Sequence, residues 1–313
     1  MPFTRKDILD IASLSAEDIR LILDTARRMK EISRRPVKKV PTLRGRTIVL
    51  FFYEPSTRTR TSFDIAAKRL SADSISVSGS SSSLVKGESL IDTARNLEAM
   101  NADIIIMRHS SSGAPHLVAP LLSASVINAG DGAHAHPSQA LLDMMAVEEH
   151  KGRLGGLRLS IIGDIAHSRV ARSNIAGFTR MGAEVTVCGP PPMMPAGIEA
   201  LGARVETDMD EAVRDADVIM MLRIQKERQS DYLMATDREY ARFYGLSSER
   251  LSLARPDAIV LHPGPVNQGV EMPPDVADGP RSVILDQVTD GVAIRMALLY
   301  LVTEGEDPHA IAD

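Results

Sequence analysis

The sequence predicts an α/β fold of two doubly wound parallel sheets, and two observations predict it. Short apolar runs rich in β-branched residues alternate with helical patterns, and the alternation starts afresh in the second half of the chain. In the first half the runs are "TIVLFF" (47–52), "SISVS" (74–78), "DIIIMR" (103–108) and "SVIN" (125–128). The helical patterns "TRTSFDIAAKRL" (59–70) and "SLIDTARNLEAM" (89–100) stand between them. Strands separated by helices imply parallel βαβ units, because parallel neighbours need a crossover connection. The second half repeats the rhythm with "RLSIIGD" (158–164), "EVTVCG" (184–189), "DVIMML" (217–222) and "DAIVLHPG" (257–264).

Each flanking element has its own signal. Ser15 with Glu17 and Asp18 reads as a helix N-cap with an acidic first turn, followed by Ile19, Ile22, Leu23, Ala26 and Met29 at helical spacing. The segment "KGRLGG" (151–156) follows the helix-like "SQALLDMMAVEEHK" and reads as the domain junction. Two domains are therefore expected at 1–150 and 151–290. The apolar helix "GVAIRMALLYLVTE" (291–304) must pack, and residues 291–313 are expected to return to the first domain.

Composition excludes several classes. A chain of 313 residues with 44% hydrophobic and 25% charged residues is a globular protein large enough for two domains. The net charge of −5 argues against nucleic acid as a partner, so any anion site must be a local concentration of cations and N–H groups. The single cysteine, Cys188, allows no internal disulfide, and its place at the end of an apolar run makes it a buried side chain rather than a nucleophile. No apolar stretch reaches membrane-spanning length, and the expected location is cytoplasmic.

The chemistry concentrates at strand ends. "FFYEPSTRTRTSF" (51–63) places Ser56, Thr57, Arg58 and Thr59 at the start of a helix that follows a strand. Free N–H groups, the helix dipole, hydroxyls and a guanidinium together suit a phosphate, although an N-cap beside solvated arginines would share the same letters. No standard nucleotide loop is present, which argues against ATP hydrolysis and a dinucleotide cofactor. Three further polar clusters end apolar runs: "MRH" (107–109), "HPSQ" (136–139) and "HPGP" (262–265). In open α/β sheets ligands bind at the carboxyl ends of strands, so these clusters are expected to converge. His134 and His136 lie close together, but no cysteine or carboxylate cluster accompanies them at ligand spacing, so no metal is expected. The serine-rich stretch "SVSGSSSSLVKGES" (76–89) falls inside the first βαβ array and reads as a functional loop, with Ser83 and Lys86 as contacts.

Together, "STRTR", "LVKGES", "MRH", "HPSQALLD", "GD…SRVARS", "MLRIQKER" and "LHPGPVNQGVE" resemble the aspartate/ornithine carbamoyltransferases from about residue 46 to residue 300. The R-x-Q in "MLRIQKER", "HPGPVN" and the absence of tryptophan resemble the aspartate-specific branch; the ornithine branch carries a tryptophan-containing motif and a cysteine where Pro263 stands. The resemblance implies transfer of the carbamoyl group of carbamoyl phosphate to the amine of L-aspartate, giving N-carbamoyl-L-aspartate and phosphate, a step of de novo pyrimidine biosynthesis. No cofactor is implied.

The resemblance also implies residue roles. Ser56, Thr57, Arg58 and Thr59 match the loop that holds the phosphate, and Arg108, His136 and Gln139 match groups at the carbamoyl end. The backbone around Pro263, Gly264 and Pro265 matches a segment that contacts the carbamoyl group. Ser83 and Lys86 match a loop that reaches a neighbouring subunit's site, which implies a homotrimer with shared sites. Arg169, Arg223 and Gln225, with Lys86, match the aspartate-binding groups. Arg108, His136 and the Thr59 hydroxyl are the candidate donors to an oxyanion, with Arg58 and Lys86 beside them. The site is expected in the cleft between the two domains. Gln268 stands where the family often has arginine. An ornithine enzyme, or a non-catalytic paralogue acting as an assembly subunit, remains open, as do a regulatory chain or another pathway enzyme as partner.

Overall fold

The β-branched runs fold as parallel strands of two separate sheets. The structure, a computed structural model, describes residues 3–78, 88–225 and 236–304. It divides into two units: Met1–Leu141 with Thr289–Asp313, and Leu142–Val288.

The first unit begins with helix α1 (Ala16–Arg34). Ser15 caps it, accepting from the Asp18 N–H while the Asp18 carboxylate accepts from the Ser15 N–H, a reciprocal capping box. Ile19, Ile22, Leu23, Ala26 and Met29 are fully buried, as their spacing requires. Then come β1 (Thr47–Phe52), α2 (Thr57–Arg69), β2 (Asp73–Ser78), α3 (Leu90–Ala99), β3 (Ile104–His109), α4 (Ala114–Val118), β4 (Ser125–Asp131) and α5 (Pro137–Lys151). The sheet order is β2-β1-β3-β4, with every pairing parallel. Phe51, Ile105, Met107 and Val126 pack on one side of this sheet with Ala94 and Val118.

The second unit carries β5 (Arg158–Ile162), α6 (Arg169–Arg180), β6 (Glu184–Cys188), β7 (Ala203–Glu206), α7 (Met209–Val213), β8 (Val218–Met221), α8 (Asp237–Tyr244), α9 (Ser248–Leu251), β9 (Ile259–Leu261) and α10 (Pro274–Ala277). Its order is β7-β6-β5-β8-β9, again all parallel. The short edge strand β7 was not expected from the sequence, because "ARVE" carries too few apolar positions to register as a run.

The last helix, α11 (Ile284–Glu304), crosses from the second unit into the first. Within the first unit Lys30 Nζ lies 2.5 Å from Asp290. Arg295 donates to the Ser62 hydroxyl at 3.0 Å and stacks over the Phe63 ring. The division at Leu141/Leu142 falls inside α5, so the glycine-rich 151–156 segment comes after the change of unit.

Candidate active site

Each sheet has one place where the chain reverses its direction of strand addition, and polar groups gather at both. In the first unit the chain runs from β1 outward to β2, then returns past β1 to β3 and β4, so the reversal lies between β1 and β3. Crevices beyond the carboxyl ends of strands at such points are where α/β sheets take ligands.

Beyond β1, Ser56 is the N-cap of α2 with extended backbone (φ −160°, ψ 102°), yet its side chain makes no capping hydrogen bond. The first turn of α2 contains no acidic residue, so its positive end is not neutralised locally. Thr57 and Arg58 are exposed and Thr59 is buried. At the end of β3, Arg108 is only 8% exposed. Its guanidinium donates to the Ala129 carbonyl at 3.2 Å and to the Glu54 carboxylate.

Beyond β4, the turn that delivers the next group is built from buried polar residues. Asn128 is fully buried, donating to the Leu9 carbonyl and to Asp131, both at 2.8 Å, and accepting from the Gly130 N–H. His136, also buried, stands immediately before α5 and its carbonyl accepts the first helical N–H groups, those of Gln139 and Ala140. Gln139 is buried in the first turn.

In the second unit the reversal lies between β5 and β8. Gly163, directly after β5, has φ +137°, and a Cβ there would lie 2.9 Å from the Leu222 backbone oxygen, so only glycine lets the two connections approach. Asp164 is fully buried and accepts from His167 Nδ1 at 2.7 Å and from the Gln225 N–H at 3.2 Å. Arg169 is the first residue of α6 and buried, behind the Ser168 cap. Arg223 donates to the Gln225 side-chain oxygen at 3.1 Å.

Glu271 ties two of these connections together. Its carboxylate accepts from the Ile224 N–H at 3.3 Å, the Asn267 N–H at 2.7 Å and the Asn267 amide at 2.9 Å. Burial pushes its carboxyl above the usual range. Beyond β9, Gly264 has φ +66° and donates to His262 Nδ1 at 2.8 Å, while Pro263 and Pro265 flank it. The His262 N–H is held by Gln287, which in turn donates to Asp143. Gln268 is exposed.

The structure thus gathers Ser56, Thr57, Arg58, Thr59, Arg108, His136 and Gln139 at the carboxyl edge of the first sheet. It gathers Arg169, Arg223, Gln225 and the 263–265 backbone at that of the second. Ser83 and Lys86 lie outside the described residues. Sequence reasoning missed half-buried Glu54 and the buried Asn128, Asp164 and Glu271, acceptors and donors that hold the site residues in place. It also expected no metal cluster. The structure brings His116, Asp131 and His134 together with ligand atoms within 4.8 Å of one another, a grouping hidden by the separation of His116 from the other two in the chain.

Two α/β units, each with cations and hydroxyl or amide groups at its reversal point, define a protein built to handle anionic ligands. Residues 6–149 match the family model described as aspartate/ornithine carbamoyltransferase, carbamoyl-P binding domain. Residues 155–302 match its Asp/Orn binding domain. The chain belongs to the aspartate/ornithine carbamoyltransferase family. It is 70% identical over 305 residues to an aspartate carbamoyltransferase catalytic subunit from Desulforapulum autotrophicum, covering 97% of this chain and 98% of that one. It is 62% identical to the same subunit from Syntrophotalea carbinolica, covering 98% of both. Among solved structures it is similar to ornithine carbamoyltransferase from Pyrococcus furiosus (TM-score 0.86, 30% identity, 98% of this chain and 100% of that one). It is equally similar to aspartate transcarbamoylase from Trypanosoma cruzi in complex with N-(phosphonacetyl)-L-aspartic acid (TM-score 0.86, 29% identity, 95% of this chain and 96% of that one).

Proposed function

We propose that the chain is a catalytic subunit that transfers the carbamoyl group of carbamoyl phosphate to the α-amine of L-aspartate, releasing phosphate and N-carbamoyl-L-aspartate. The observation that carries this reading is the division of groups between the two reversal points. Hydroxyls, helix N–H groups and Arg58 at the first suit a phosphate; Arg169, Arg223 and the Gln225 amide at the second suit a dicarboxylate.

The amine is the nucleophile, so no activated serine or cysteine is needed. Its lone pair forms a C–N bond to the carbamoyl carbon, and the carbonyl oxygen becomes an oxyanion. Arg108, His136 and the Thr59 hydroxyl donate to that oxygen. The oxyanion then re-forms the carbonyl as the C–O bond to phosphate breaks, phosphate leaves with the electron pair of that bond, and the amine's proton passes to the departing phosphate. Phosphate departs as an anion held by Ser56, Thr57, Arg58 and Thr59. Holding amine and carbonyl in register contributes on the order of 7–11 kcal/mol in favourable cases. Gln139 and the 263–265 backbone orient the carbamoyl nitrogen.

The reading extends to an assembly. A homotrimer in which Ser83 and Lys86 complete a neighbour's site follows from the family resemblance, which leaves open a regulatory chain or another pathway enzyme as partner, and the reaction belongs to pyrimidine biosynthesis in the cytoplasm. Among the described residues no helix is long and apolar enough to cross a membrane. The test offers purified protein carbamoyl phosphate with L-aspartate or L-ornithine in separate assays. Product with aspartate alone is expected. Product with ornithine alone would mean that Arg223 and Gln225 do not face a dicarboxylate. Activity that survives dilution to a monomer would remove the shared-site trimer.

A further inference from the structure

A second polar cluster lies on the first unit, and it is built differently from the candidate active site. Asp131, the last residue of β4, is fully buried. Its Oδ1 accepts from Asn128 and the Ala135 N–H, and its Oδ2 accepts from the Gly113 N–H at 2.6 Å. His134 Nδ1 lies 3.0 Å from that Oδ2. His116, from α4, faces His134 with ring centroids 5.2 Å apart. On its far side, His116 Nε2 lies 2.7 Å from Asp10 Oδ2. Its Nδ1 is buried and has no hydrogen-bond partner.

We propose that His116, Asp131 and His134 form a binding site for a divalent first-row transition ion, with Zn²⁺ the best match to its chemistry. Two imidazoles and one carboxylate are the donor set such ions take, and water or an outside ligand completes a tetrahedron. Asp10 supplies the outer carboxylate that commonly orients a ligating histidine. By accepting the Nε2 proton it fixes the tautomer whose lone pair is on Nδ1. The simpler account, two hydrogen-bonded histidine–carboxylate pairs, explains Asp10–His116 and Asp131–His134. It leaves His116 Nδ1 buried and unsatisfied beside a second imidazole, where a metal ion would satisfy both rings.

The geometry needs little adjustment. Tetrahedral ligands about 2.0–2.2 Å from zinc lie about 3.4 Å from one another. The ligand atoms here already lie within 4.8 Å. The Asp131 carboxylate is anchored by three donors, Asn128 and the Ala135 and Gly113 N–H groups, whereas the His134 side chain is 42% and the His116 side chain 34% exposed, so the rings can close on the ion and solvent can deliver it. The backbone beneath is close-packed. Gly132 has φ +45°, and a Cβ there would lie 2.8 Å from the Ser112 nitrogen. The ion would therefore pin the connection that follows Arg108 to the one that precedes His136, a role separate from the substrate assignment above.

The test is calorimetric titration of the full-length, chelator-stripped protein with ZnCl₂, with visible absorption of the Co²⁺ form as the signature of tetrahedral ligation. One saturable equivalent per chain and a raised melting temperature are expected. His134→Ala and His116→Ala should each weaken binding at least tenfold, and Asp10→Asn about tenfold, the usual effect of losing an outer partner. His134→Asn, at a half-exposed position, serves as the variant that keeps the fold. Unchanged affinity in both histidine variants would place the ion elsewhere, and no saturable uptake by the folded wild-type chain would remove the site; either result overturns the proposal.

Discussion

Arg108 and Glu54 share an ion pair that fixes a guanidinium across the middle of the first sheet. Arg108 is the penultimate residue of β3, and it reaches Glu54 just past β1 on one side and the Ala129 carbonyl in β4 on the other. Both neighbours of β3 thereby position one cation. Arg108→Ala is expected to lower kcat by about a hundredfold or more, the usual cost of an oxyanion donor. Glu54→Gln keeps the shape but removes the charge that locates the guanidinium. It should lower kcat about tenfold while leaving KM for carbamoyl phosphate unchanged or improved, since one competing anion is gone. Steady-state kinetics on both variants read this, and a worsened KM with unchanged kcat in Glu54→Gln would contradict it.

The unneutralised start of α2 makes a separate prediction. Arg58 is exposed there and adds charge-assisted bonds to a phosphate that N–H groups already attract. Loss of such bonds costs about 1.5–3 kcal/mol, so Arg58→Ala should raise KM for carbamoyl phosphate roughly 10- to 100-fold. Inhibition by inorganic phosphate should weaken in parallel. KM for aspartate should stay nearly constant.

Glu271 touches no proposed ligand, yet it holds the backbone beside Arg223 and Gln225 to Asn267. Glu271→Ala leaves those buried N–H groups without acceptors, at a cost of about 1–3 kcal/mol. A lower melting temperature and a KM for aspartate raised at least tenfold are expected, with KM for carbamoyl phosphate unaffected. Equal change in both Michaelis constants would mark general unfolding instead.

Cys188 offers a prediction about reactivity. Burial pushes its thiol from the ordinary 9.0 up to about 12. At neutral pH the thiolate population is then about a thousandfold below that of an unhindered thiol. The native protein should resist disulfide-exchange reagents that label it at once in denaturant. The sign for stability follows: a raised folded value protects below the unfolded value, so this contribution is full below about pH 9 and is lost as the pH rises from there towards 12. Rapid labelling of folded protein at pH 7 would refute the assignment.

The sheets were legible in the sequence because parallel strands buried on both faces announce themselves as apolar runs: "TIVLFF" is β1 without a residue gained or lost. The clusters at 56–59, 107–109, 136–139 and 262–265 stood out because they follow apolar runs, whereas Arg169, Arg223 and Gln225 were assigned through the family resemblance. Their supports did not stand out. Asp164 and Glu271 look like ordinary surface carboxylates until the chain closes over them, as does the half-buried Glu54, and no local period marks such an acceptor. His134 was noted only beside His136, and its grouping with His116 escaped because the turn that unites them is made by Asp131 gathering N–H groups from two connections. The junction expected at the glycines of 151–156 falls where the two family-model domains meet, between residues 149 and 155, while the two compact units divide slightly earlier, within α5, where composition gives no sign.

The return of α11 to the first unit has a consequence for the chain's birth on the ribosome. Residues Leu142–Val288 are contiguous, so the second unit is assembled from one unbroken stretch of chain. The first unit, although most of it is made earlier, waits for Asp290 to meet Lys30, for Arg295 to reach Ser62, and for the Val302 carbonyl to accept from Ser125. These contacts come only after residues 290–302 have been made. The usual order in which the amino-terminal domain matures first does not hold for such a chain, because the first unit cannot be completed until a segment that follows the whole second unit has been made.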